Sequence, residues 1–176
     1  MWSWAADLSR ARKARLAVEG TIAPLVERSR LRLGSIPDAT WSDPYIVGFI
    51  VMLITILARM EVGKINSETL CQVQTKAWED ITGRTGLIGE EVLLLSTANN
   101  RSFENGCRNA VQFSSVLVSH SVLFGNSNDE ERYSLDLRTG HPNTSLIERP
   151  DILAMWEKYF DTWLPVDHSN DMLSLQ

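Results

Sequence analysis

Apolar residues crowd most densely between Asp43 and Gly63. The stretch Pro44 to Ala58 holds no charged residue, and Ile46, Val47, Phe49, Ile50, Val51, Met52, Leu53, Ile54, Ile56 and Leu57 fall within it. At a 3.6-residue period these side chains cover every side of a helix, the pattern of a helix enclosed by others. Asp43 offers an oxygen at the N-cap, and Pro44 suits the first helical position, where a missing N–H costs nothing. The β-branched residues would fit a strand, but the length argues for a helix. Gly48 predicts a close helix crossing. Charge returns at Arg59 and Glu61, and Gly63 ends the element. A bilayer-spanning helix needs ~20 apolar residues, so a central core helix over about 45–60 is predicted instead.

Amphipathic segments flank this centre. Trp4, Leu8, Ala11, Leu16 and Val18 predict a helix over 4–19, stopped by Gly20. Thr21 then caps a second helix, with Pro24 in its first turn and Gly34 past its end. Asn66 or Ser67 caps a segment with Leu70, Val73, Ala77, Trp78 and Ile81 at helical spacing, terminated by Gly83. Thr85 opens the next, with Ile88, Val92 and Leu95 on one face. After a turn at Asn99–Arg101, Ser102 caps a helix whose inward positions are Phe103, Cys107, Ala110, Val111, Ser114 and Leu117 or Val118. Pro150 opens a last helix bearing Ile152, Trp156, Tyr159, Phe160 and Trp163, which Pro165 ends.

Between the last two helices the period changes. Val116, Val118, His120, Val122 and Phe124 alternate with more polar positions. Tyr133, Leu135 and Leu137 alternate with Ser134 and Asp136. Two such runs predict a β-hairpin near 116–138. The fold class is therefore mainly α: a multi-helix bundle around the buried helix at about 45–60, with one β-hairpin. At 176 residues the chain fits one helical domain, 1–176, comprising a basic helical segment at 1–33 and a flexible tail at 165–176.

Composition changes the picture little: 44% hydrophobic and 22% charged residues are typical of globular proteins. Charge distribution changes it more. Residues 1–33 carry seven basic side chains against three acidic ones, while the whole chain has net charge -5. A basic start and an acidic body can pack on each other or be separately solvated. The functional alternative is a surface for phosphate or anionic lipid. An acidic body repels nucleic acid, and the apolar face of 1–33 is thin for peripheral membrane contact. Cys71 and Cys107 form no CxxC and have no histidine at ligand spacing. They are expected to be reduced and buried, which suits a cytoplasmic protein. Basic residues begin only at Arg10 and no apolar run follows them, so no secretory signal is read.

Candidate chemistry is sparse. Glu90 and Glu91 are adjacent on a helix and diverge by ~100°, so they do not converge on one atom. No Glu-x-x-His pairs, HExxH, GxSxG, Walker A or GxGxxG sequence occurs, so neither a metal nor a cofactor is expected. Gly83, Gly86 and Gly89 are spaced GxxGxxG, but a helix precedes them and Glu90 follows where a phosphate loop carries Lys-Ser/Thr, so two helix-boundary glycines account for them better. Asn99, Asn100, Arg101 and Glu104, with Asn105, gather hydrogen-bonding groups where a helix N-terminus can hold an anion, and capping explains them equally. His141 lies in the Gly140–Asn143 loop after Arg138, with Asp136 as a candidate orienting partner for a general base, and His120 is a further candidate.

The expected function is a non-catalytic protein-interaction or adaptor domain, binding a protein partner or a second copy. One alternative is a small-molecule enzyme or ligand-binding protein using 99–105 and 138–143. The other is nucleic-acid or anionic-membrane binding through 1–33.

Overall fold

A computed structural model describes residues 3–86, 88–123 and 148–164. The described residues are mainly helical: α1 Ser3–Leu33, α2 Pro44–Val62, α3 Ser67–Thr82, α4 Ile88–Thr97, α5 Arg101–Leu123 and α6 Pro150–Tyr159. Short 3-10 turns at Asp38–Ser42 and Asp161–Trp163 precede α2 and follow α6.

α2 begins as its sequence directs. The Asp43 carboxylate accepts from the Tyr45 and Ile46 N–H groups at 2.8 and 3.2 Å. Tyr45 to Ile50, Leu53, Ile54 and Ala58 are wholly buried, and α1, α3, α4 and α5 all touch this helix. At 19 residues α2 is long and apolar enough to cross a membrane, contrary to the estimate from its charge-free stretch. Its enclosure by other helices, not its length, supports the reading of a core helix.

Among the described residues, α2 and α5 share the most extensive contact. The reason is a reciprocal pair of glycines. A Cβ on Gly48 would lie 2.3 Å from the Phe103 carbonyl oxygen, and one on Gly106 would lie 2.1 Å from that of Tyr45. Each helix thus presses its backbone against the other where the other has no side chain. Phe103, Gly106, Ala110, Phe113 and Leu117 continue the buried stripe of α5 at three- and four-residue steps. Around the crossing, the Phe49 ring meets those of Tyr45, Phe113, Trp156, Tyr159 and Phe160.

Three expectations need correction. α1 does not break at Gly20: it is one helix of 31 residues with Pro24 inside it. The Thr21 hydroxyl donates to the Ala17 carbonyl at 2.8 Å, bonding back along the helix rather than capping a new one. Pro24 has no N–H for the turn before it, which costs ~3 kcal/mol or more. Burial of Ala14, Val18, Ile22, Leu25 and Val26 against the core opposes that cost.

The β-hairpin is not found. Residues 116–123 continue α5, and no strand occurs among the described residues; the rest of the expected hairpin, 124–138, lies outside them. The alternation from Val116 is overridden by the helical stripe, which buries Phe113 and Leu117 and leaves Val118 exposed. Ser114, Ser115 and Ser119 donate to carbonyls one turn back, so the serines satisfy their own hydroxyls within a helix. Finally, Cys71 is exposed and Cys107 is half-buried, whereas both were expected in the core.

Candidate functional site

The polar turn between α4 and α5 is a capping structure. Asn99 adopts φ 49°, and the Asn100 side-chain oxygen accepts from the Ser102 and Phe103 N–H groups at 3.0 and 3.1 Å. Asn100, rather than Ser102, therefore caps α5. Arg101 and Glu104 are exposed on its first turns. His120 lies in the same helix 19 residues beyond Arg101, a rise of about 28 Å, so these two do not meet. Asp136, Arg138 and His141 lie outside the described residues. No group of three or more His, Cys, Asp or Glu side chains that could hold a metal ion occurs among the described residues.

Two polar networks that the sequence reading missed join the C-terminal segment to the rest. Buried Ser29 donates to the Asp161 carboxylate and accepts from the Trp156 indole N–H at 2.8 Å. Arg32 pairs with the other oxygen of Asp161. The second network runs through the Tyr45 hydroxyl, which donates to the Tyr159 carbonyl at 2.8 Å and accepts from Asn109 at 2.9 Å. The Tyr159 hydroxyl donates to Gln112, and the Trp163 ring stacks on that of Tyr45 at 3.9 Å between centroids. Burial pushes the Tyr45 phenol and the Cys107 thiol above their ordinary pKa values. Each group in these networks is engaged by its neighbours.

The basic segment is similarly engaged. Lys13 pairs with Glu61 at 2.7 Å, Arg15 with Asp80 at 2.9 Å, Arg28 with Glu157 at 3.0 Å, and Arg32 with Asp161. The basic start thus packs on the acidic body. Arg30 pairs with Glu27 inside α1 at 2.7 Å, and Arg10 and Arg12 have no carboxylate partner among the described residues.

The α4 surface is open and largely apolar. α4 fully buries only Ile88, with Val92 and Leu95 partly covered, while Leu93 and Leu94 are 62% and 69% exposed. Beside α4, Gly89 faces Cys71 of α3, whose Sγ would lie 3.7 Å from a Cβ at that glycine. Cys71, Glu68, Gln72, Thr75 and Lys76 line a shallow groove of about 410 Å³. The only sequence signal for this surface is the run Val92-Leu93-Leu94-Leu95, too many apolar residues in succession for one buried stripe.

No protein-family model, curated protein or solved structure matches the chain.

Proposed function

We propose that this chain is a non-catalytic protein-interaction domain, a helical bundle built around α2 that presents the outer side of α4 and the adjoining face of α3 to a partner. The exposure of Leu93 and Leu94 side by side on a short helix carries this reading. Fully burying one leucine contributes roughly 1.5–3 kcal/mol, so a protein covering both has an apolar contribution to affinity available at once. The engagement of the polar networks and of most basic residues within the fold supports the same reading, because it assigns those groups to internal packing.

The test is affinity capture from source-cell extract with the full chain and with Leu93→Asp/Leu94→Asp, after circular dichroism and thermal melting show both folded alike. A stoichiometric partner retained by the wild type and lost by the variant is the expected result. Identical retained proteins, or none with the wild type, would overturn the proposal.

A further inference from the structure

Two ridges on the molecule have complementary chemistry, and both are open. On α4, Glu90 lies one turn before Leu93 and Leu94, and Glu91 one turn before Leu94. Glu90 is exposed, Glu91 half-buried, and neither forms an ion pair among the described residues. On α1, Leu8, Arg12 and Leu16 follow one another at four-residue steps, which stacks them along one face. Leu8 is 55% exposed and Leu16 38% exposed, and Arg12 between them is exposed without a carboxylate partner among the described residues. This sets Arg12 apart from Lys13, Arg15, Arg28 and Arg32, whose charges are met within the chain.

We infer that the occupant of the α4 face is a second copy of this chain, docked through its α1 ridge, with Arg12 of one copy against Glu90 of the other and the leucines of both ridges packed between. This deepens the interaction reading and rests on it. The charges left unpaired give the contact its direction: Arg12 on the α1 ridge of one copy attracts Glu90 and Glu91 on the α4 ridge of another, whereas two α4 ridges facing each other bring like charges together. If two copies exchange both contacts the assembly is a closed dimer; if each copy uses its ridges with different neighbours it closes as a ring.

The experiment is light scattering coupled to size exclusion, on the purified full chain over a concentration series at low salt. The wild type is expected to show a mass above the monomer that falls with dilution and with added salt. Arg12→Glu and Glu90→Arg should each weaken association at least tenfold, and the double variant Arg12→Glu/Glu90→Arg should restore it. Arg10→Glu, a reversal on another face of α1, should leave it unchanged. A wild type that is monomeric throughout would overturn the inference. So would a double variant no better than the single ones, or an Arg10→Glu effect equal to that of Arg12→Glu. A monomeric chain that still loses a captured protein on Leu93→Asp/Leu94→Asp would sink the second copy and leave the interaction domain standing.

Discussion

α4 and α5 are consecutive helices separated by the turn at Ala98–Asn100, yet they treat their apolar residues in opposite ways. α5 sinks Phe103, Ala110, Phe113 and Leu117 into the core and closes on α2 until backbones touch at Gly48 and Gly106. α4 anchors itself by Ile88 and leaves two of its three leucines in solvent. The difference lies in spacing. The stripe of α5 recurs every three or four residues, so one face collects it. The leucines of α4 are contiguous, so successive ones rotate by about 100° and no single face can hold them. Apolar content alone therefore does not assign a helix to the core; the period does.

The largest effects should come from the α2–α5 side. Phe113 is fully buried against Phe49 and Trp156, with ring centroids 6.1 and 5.6 Å away. Phe113→Ala is expected to destabilise the fold by about 3–5 kcal/mol in urea denaturation, combining lost burial with a cavity. A loss below about 1 kcal/mol would mean that this crossing is no tighter than the α4 face.

Gly106→Ala comes next. It adds a single methyl group, but that atom would meet the Tyr45 carbonyl oxygen at 2.1 Å and the Phe49 nitrogen at 2.8 Å. Both belong to backbone, which cannot rotate away as a side chain would, so α2 and α5 must separate. About 3 kcal/mol is the expected cost, at the upper end for overpacking. Alanine is otherwise the better helix former by about 1 kcal/mol, so a stabilised variant would show that the close approach does not exist.

Much of this was legible in the sequence. Asp43-Pro44 announced the start of α2, Asn66 or Ser67 that of α3 (Asn66 is the cap), and Gly83 the end of α3, because caps and positive-φ glycines are local devices. Gly48 signalled a close crossing because a glycine inside an apolar helix has few other uses. Gly106, its counterpart, stood among polar residues and gave no such signal. The continuity of α1 through Gly20 and Pro24 was hidden for a different reason: local propensity points to a break, and only long-range packing outweighs it. The alternation after Ser115 misled because a few β-branched residues at every second position fit a strand and the outer flank of a helix equally. Of the candidate site, the turn at Asn99–Glu104 was found, and Asn100 in it caps α5, while Ser29, Asp161 and Asn109 could not be read at all. Their partners lie far away along the chain, and nothing in one sequence pairs them.

Alkaline pH separates the two regions by a third route. The Tyr45 phenol, at the start of α2, is held above its ordinary pKa by burial, with Asn109 and Tyr159 around it. The fold thus favours its neutral form. Its contribution to stability should be complete below about pH 10, where the unfolded phenol begins to ionise, and should be lost as pH rises towards the folded value. Tyr45→Phe should remove that part of the alkaline decline. At neutral pH it should cost about 1 kcal/mol through the lost hydrogen bonds. Denaturation curves for both proteins at pH 8 and pH 10.5 give the comparison; parallel declines would show that Tyr45 is not the titrating group.

The smallest effect is the most informative about α4. Leu53 and Leu94 are the same residue on two helices of one molecule, one fully buried and the other 69% exposed. Leu53→Ala should cost about 2–5 kcal/mol, whereas Leu94→Ala should stay within about 0.5 kcal/mol of wild type. The purified chain must be dilute in that measurement, because association through α4 stabilises the folded state by mass action and adds its own term. Run at rising protein concentration, the same pair of melts becomes a second readout of the surface. The Leu53→Ala deficit should stay constant, while the gap between wild type and Leu94→Ala should widen as contacts fill. A Leu94→Ala deficit of several kcal/mol already present at high dilution would mean that α4 is held in the core after all, and that its leucines are not a surface awaiting a partner.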